Sequence, residues 1–270
     1  MSDYTLYLYP AATAFHLAGW LSIQELVDRH YDFSRWIGTS VLVGMLCVAM
    51  AIIGRWTAFG EGPFLTMHEV LLSSLFSLSL VFGVAYLFIP IVRIGAPFAV
   101  GIMLLLFFWA TNTDSGFKPL PPTYQTPWLW AHVITGKLFL GSCLVATSLG
   151  ICLVYPLNRF VCATRHRWTP QQIERQVWSW LTIAFLCHSA MLIAGAVWAQ
   201  DAWGRFWDWD PLESWAFATW LCMAVVLHLR STYRLGPLSV SLFALGTFFL
   251  AFMTFFGVPF ISINPHQGAV

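Results

Sequence analysis

Long apolar runs separated by short polar stretches organise this chain from end to end. Crossing the hydrocarbon layer takes about 20 apolar residues per helix. Eight segments qualify, roughly 4–23, 36–54, 64–89, 94–110, 128–156, 177–199, 211–229 and 237–260. The fourth is short and contains Pro97. Backbone groups in lipid must be satisfied within their own segment. The pattern therefore predicts an all-α polytopic membrane protein, one transmembrane domain over 1–270 with about eight transmembrane helices. The first segment lacks a basic leader and an A-x-A site, so it reads as a span and not as a cleavable signal. Only 111–127 and 157–176 form long connections.

Composition agrees: 59% of residues are hydrophobic and 9% charged, with a mean hydropathy of +0.71. The net charge of +1 is uninformative, but its distribution is not. With the N-terminus outside, nine arginines (29, 35, 93, 159, 165, 167, 175, 230, 234) fall in cytoplasmic loops. Only Arg55, Lys118 and Arg205 fall outside, and Lys137 lies within the fifth span. This asymmetry follows the positive-inside rule and predicts both termini outside. The arginines orient the chain; no nucleic-acid partner is expected. Of six cysteines, five fall inside spans and Cys162 in a loop, with no C-x-x-C anywhere. They read as small buried hydrophobes, and covalent C-x-x-C-H heme attachment to this chain is excluded.

The stretch 198–215 breaks the apolar rhythm. It holds Trp198, Trp203, Trp207, Trp209 and Trp215, interleaved with Asp201, Asp208, Asp210 and Glu213. Trp favours the membrane interface because a large apolar ring carries an N–H that needs a partner. An aromatic belt is one reading; a shelf for a flat apolar ligand is the other, favoured by the density of rings and acids. Asp210-Pro211-Leu212-Glu213 has the form of a helix start, with Asp210 as N-cap, Pro211 first in the helix and Glu213 three residues after the cap. Trp203 and Trp207, four apart, predict a short surface-parallel helix, with Gly204 permitting close approach to its backbone.

His132, after Trp128 and Trp130, begins the fifth span, and His266 follows the last. Both share the depth of the Trp segment, and two imidazoles beside an aromatic shelf suit heme iron. Each also has a bland reading as a structural boundary histidine. His228 lies about 25 Å along the seventh span from Pro211, at 1.5 Å per residue. An ionisable residue at that depth is a functional candidate, while snorkelling beside Arg230 is the alternative. His16, His68 and His188 read as heme-binding or proton-handling residues, or else as packed ones, and His30 and His166 as solvated.

The run from Gly195 through Trp198-Ala-Gln-Asp-Ala-Trp-Gly-Arg-Phe-Trp-Asp-Trp-Asp-Pro-Leu-Glu-Ser-Trp215 is similar to the WWD signature of heme-handling membrane proteins. Within them the chain most resembles the CcsA (ResC) family of System II cytochrome c biogenesis. Gly62-Pro63-Phe64 with Glu69, Pro127-Trp128-Leu129-Trp130-Ala131-His132-Val133, Val226-Leu227-His228-Leu229-Arg230 and Phe256-Gly257-Val258 through Pro265-His266-Gln267-Gly268 match further family segments. The resemblance covers about residues 60–268; the first 60 match only as two spans. It departs at Leu212, where the family commonly has Lys, and at His68, where Asn or Tyr is usual.

The resemblance implies heme b held externally by His132 and His266 against Trp198, Trp203, Gly204, Trp207, Trp209, Asp210, Glu213 and Trp215. It implies a second, intramembrane heme position at His228, whose other axial ligand comes from a CcsB-like (ResB) membrane partner. His68 and Glu69 are possible additions to the site. The implied activity is that of a holocytochrome c synthase component, which transports or holds heme and presents it for thioether attachment to an apocytochrome c C-x-x-C-H site. The implied location is the bacterial cytoplasmic (inner) membrane, or the thylakoid membrane for a plastid-encoded chain. Three alternatives remain: a CcmC-type chaperone loading heme without attachment, a HemX-like regulatory heme protein, and a cytochrome b, for which His16 with His188 is the only pairing. The count of eight spans and His228 favour the first reading over the CcmC type, and the intact Trp motif disfavours the HemX type.

Overall fold

A computed structural model of the chain describes residues 3–28, 32–62, 65–154 and 168–258. Their regular secondary structure is entirely helical. The long helices are α1 (Leu8–Val27), α2 (Ser34–Phe59), α3 (Met67–Phe88), α4 (Ala96–Thr111), α5 (Pro127–Val154), α6 (Pro170–Trp203), α7 (Pro211–Thr232) and α8 (Pro237–Phe252). Each of the eight apolar segments overlaps one of them. Seven segments, Ser34–Phe59, Met67–Phe88, Pro90–Thr111, Pro127–Val154, Pro170–Trp203, Pro211–Thr232 and Pro237–Gly257, are long and apolar enough to cross a membrane. The protein is a polytopic integral membrane protein. The exception is α1, where His16, Gln24 and Glu25 dilute an otherwise apolar helix.

Helix boundaries follow local chemistry. Thr66 and Glu69 form a reciprocal capping box at the start of α3, which satisfies end groups that lipid cannot. Proline opens α5, α6, α7 and α8, where its missing N–H is no loss. Beyond Phe252 the last helix runs on as a π-helical turn, Met253–Gly257. Such turns are rare and often mark functional positions.

The fold divides into two compact units, one drawn from Met1–Leu120 with Tyr155–Ile173, the other from Pro121–Val154 with Glu174–Val270. In the first, α1 packs on α2, α2 on α3, α3 on α4, and α4 back on α1, the closed order expected of a short-looped bundle. Its centre is filled by Phe15, Val48, Leu71, Leu75, Phe82 and Met103. The second repeats the scheme. The carbonyl of Met191 on α6 is bonded by His132 of α5, Trp220 of α7 donates to Ser189 of α6, and Trp215 of α7 donates to a carbonyl of α8. Helix α8 returns to α5, where Thr147 Oγ1 donates to the Ala244 carbonyl at 2.8 Å.

Candidate functional site

His132 occupies the second turn of α5, half-buried against α6. Its Nδ1 lies 2.9 Å from the Met191 carbonyl oxygen. A carbonyl only accepts, so Nδ1 carries the proton, and in the neutral ring the lone pair sits on Nε2. A hydrogen bond of this kind fixes the tautomer of metal-binding histidines. The ring fits there because residue 195 is glycine: a Cβ would stand 2.6 Å from Nδ1. Gly195 has no other signal in the sequence than its place three residues before Trp198.

Trp198 is buried beside it, with ring centroids 5.9 Å apart. Its indole donates to the Thr123 carbonyl at 3.0 Å. Tyr124 meets Trp198 edge-on at 5.1 Å, and Trp203 lies at 5.2 Å. Burial pushes the Tyr124 phenol up to about 12, so it stays protonated as a packing and donor group. The loop residues Thr123 and Tyr124 carry no motif, and sequence reasoning missed them.

The expected surface-parallel helix joining Trp203 and Trp207 does not form. Helix α6 instead runs on to Trp203. Gly204 then takes a φ of +74, and its N–H bonds back to the Gln200 carbonyl. No heavy atom lies within 4 Å of where its Cβ would be. Gly204 thus ends the helix by the left-handed turn glycine favours.

Residues 205–210 form an irregular segment, and they are braced. Asp210 caps α7 as expected, accepting from the Glu213 N–H at 2.8 Å. The Glu213 carboxylate turns to the Asp208 N–H at 2.7 Å, and Ser214 Oγ donates to the Trp209 carbonyl. Between these braces Trp209 has a φ of 59 and is 68% exposed. A bulky side chain in that region is strained by about 1–3 kcal/mol. Trp207 is half-buried, and its Nε1 is buried with no hydrogen-bond partner. Both rings meet Phe217 edge-on, at 6.0 and 6.1 Å. Trp215 is different: its indole donates to the Leu250 carbonyl, which makes it a tie between α7 and α8.

From Phe217 the rings continue along α7. Phe217 stacks on Trp220 at 6.1 Å, and Trp220 on Phe185 of α6 at 5.4 Å. His228 lies on the last turns of α7 with its side chain exposed, while the Arg230 guanidinium lies over the Trp178 ring. His266 falls outside the described residues, as do Pro63, Phe64, the 265–268 segment, Cys162, His30 and His166.

His68 and Glu69 belong to a polar cluster of the first unit. Arg55, counted in the sequence as an outer-loop cation, belongs to α2 and is 3% exposed. Its guanidinium pairs with Glu69 at 2.9 Å, and donates to Tyr4 Oη and to the carbonyls of Ser115 and Gly116. The second oxygen of Glu69 accepts from the N–H groups of Leu65 and Thr66. Glu69 therefore has both oxygens engaged in holding structure. His68 Nδ1 donates to the Ala110 carbonyl, while Nε2 is buried without a partner. Among the described residues no three His, Cys, Asp or Glu side chains converge as a metal centre.

These sequence and structural features have counterparts in known proteins. Residues 64–266 match the family model described as cytochrome C assembly protein. "Cytochrome c biogenesis protein CcsA" of Atropa belladonna is 26% identical, covering 93% of this chain and 89% of that one. Its namesake in Solanum bulbocastanum is 28% identical over 93% and 90%. Among solved structures the chain is similar to "Cytochrome c Heme Lyase CcmF", with a TM-score of 0.66 and 17% identity. That match covers 97% of this chain, which spans 51% of the CcmF chain, and it speaks to the fold. With the motifs, the helical fold and a family match over three-quarters of its length, the chain belongs to the cytochrome c assembly family, and within it is similar to the CcsA proteins.

Proposed function

We propose that this protein holds heme b at the outer membrane face and presents it for thioether attachment to an apocytochrome c. One observation carries the reading: the Met191 carbonyl orients the His132 ring through Nδ1, beside the buried Trp198. In this reading both termini and the 198–215 segment are external, and His266 supplies the second axial imidazole. Trp198, Trp203, Trp207 and Trp209 grip the porphyrin and exclude water. Asp210, Glu213 and Gly204 set the shape of the irregular segment that carries them. Trp215 acts through the α7–α8 packing.

Axial imidazoles keep the iron low-spin and tune its potential. Attachment adds each cysteine S–H across a vinyl C=C: a C–S bond forms, the S–H bond breaks, and the proton ends on the neighbouring carbon. No net oxidation is required. The protein's contribution is orientation of vinyl against thiol, and the histidine of the incoming C-x-x-C-H replaces one external imidazole. His228, exposed on α7, would hold an intramembrane heme shared with a CcsB-like membrane partner. The bacterial inner membrane, or a thylakoid membrane, is the setting.

The test is the spectrum of protein purified with bound heme. The wild type should show a low-spin, bis-imidazole b-type spectrum, and the His132→Ala/His266→Ala double variant should lose it. An unchanged spectrum in the double variant would remove both residues as ligands.

A further inference from the structure

His188 is the imidazole that neither the fold nor the outer site uses. It lies in α6, is 0% exposed, and both ring nitrogens are without a hydrogen-bond partner. Most buried polar side-chain atoms find a partner, and the other buried imidazole, His68, is bonded through Nδ1. A ring kept only for packing would be replaced at no loss by Leu or Phe. His188 is also well oriented. It stacks on Phe139 of α5 with centroids 4.1 Å apart and planes 14° from parallel. Phe139 thereby covers a ring face, while the nitrogen lone pair that binds a metal lies in the ring plane, at the edge.

Its depth is the second observation. Phe139 is seven residues along α5 from His132, which places His188 about 10 Å further in. Trp220, whose indole donates to Ser189 next in sequence to His188, is eight residues before His228 on α7, or about 12 Å. His188 thus stands midway between the two. The stacked and edge-on rings of Trp209, Trp207, Phe217, Trp220 and Phe185 lead from the external segment down to that level.

We propose that His188 is a transient axial ligand for heme iron, an intermediate station between His228 and His132. The proposal rests on the heme-handling reading above. A passing station has to bind weakly. The carbonyl bond at Nδ1 of His132 raises that ring's basicity and fixes its orientation, and His188 lacks such a bond. Heme would stay longer on His132 and only pause at His188.

The experiment uses the full chain purified with heme, in the variants His188→Leu, His188→Phe and His188→Ala. His188→Phe keeps an aromatic ring against Phe139 and reports whether the fold survives. With His188 removed, low-spin heme at the outer site should fall by about tenfold, while heme retained at His228 rises and the thermal midpoint holds or increases. Added imidazole should restore outer heme in His188→Ala and leave His188→Leu unchanged. Unchanged heme content and spectrum in all three variants, with the wild type loaded and His132→Ala depleted, overturns the station and leaves the outer site standing. A wild type without heme, or a His132→Ala/His266→Ala variant that keeps its low-spin spectrum, overturns the underlying reading instead.

Discussion

The two helical units each concentrate unusual side chains at one end of their bundle, and they treat them in opposite ways. Around Arg55 the polar groups are used up. The guanidinium has four partners, Glu69 takes three donors, and both are nearly sealed from solvent. Around His132 the geometry is equally fixed but incompletely spent. Trp207 keeps a buried N–H without an acceptor, and Trp209 is strained and exposed, while the Met191 carbonyl orients the His132 ring. Saturation marks a structural knot. Strain and unmade bonds, held in place by good bracing, mark a site waiting for something.

The largest effect should come from breaking the knot. Removing one partner of a buried ion pair leaves an uncompensated charge, at a cost of about 3–5 kcal/mol. Arg55→Met and Glu69→Gln should each lower the thermal midpoint sharply and reduce the amount of protein in the membrane. Replacing both together should recover part of the loss, because no lone charge remains. Stability unaffected by the single changes would mean that water reaches Arg55 and that the cluster is no knot.

Gly195→Ala should act next most strongly, and on the other unit. Its Cβ would stand 2.6 Å from His132 Nδ1, so the ring must shift and its bond to Met191 must stretch. Overpacking of this kind costs about 1–3 kcal/mol. Thermal unfolding should register that amount, and the heme spectrum should show a weakened axial ligand. If stability falls and the spectrum holds, the orientation of His132 matters only to packing.

Trp209→Gly separates strain from use. Glycine accepts a φ of 59 without penalty, so relief of about 1 kcal/mol is expected. An exposed ring gives up little packing in return. The variant should therefore be as stable as the parent or more so, yet yield less holocytochrome c at matched protein level. Unimpaired yield would reduce Trp209 to an interfacial anchor.

Most of the fold was legible because lipid leaves the backbone so few options. Apolar length alone located the eight long helices among the described residues, and Asp210-Pro211-Leu212-Glu213 announced the start of α7 to the residue. What failed was local reading in polar surroundings. Helix α6 begins at Pro170 and runs to Trp203, because Gln171, Gln172, Glu174 and Arg175 form good helix outside the apolar window that hydropathy detects. The spacing of Trp203 and Trp207 imitated a helix, and the positive φ of Gly204 overrode it. The burial of Arg55 beside Glu69 was missed for another reason. Their pairing spans a turn between two helices and recruits the backbone of 115–116, and no sequence period records such a contact. The site was legible as residue types, Trp, His and Asp, but the carbonyl that sets the His132 tautomer belongs to Met191, and a backbone group leaves no trace in sequence.

The smallest stability effect, and the sharpest test of the contrast, belongs to Trp207→Phe. The indole touches Trp209 and Phe217 edge-on at 5.8 and 6.0 Å, and a phenyl ring preserves much of that packing. The substitution also removes the buried N–H that has no partner. Leaving such a donor unmade costs about 1–3 kcal/mol, so its removal offsets the lost ring area, and the net change should stay within about 1 kcal/mol. If the segment were only an aromatic belt, function would follow stability and Phe would serve equally well. If the N–H is kept for an acceptor on the cargo, such as a heme carboxylate oxygen, yield of holocytochrome c should drop several-fold while the thermal midpoint stays put. Titrating heme into the purified variant distinguishes the cause: weaker binding with an unaltered low-spin spectrum locates the loss in the grip on the porphyrin edge, not in iron ligation. Equal yield and equal affinity would return Trp207 to the ordinary packed residues and shrink the site to His132, Trp198 and Trp203.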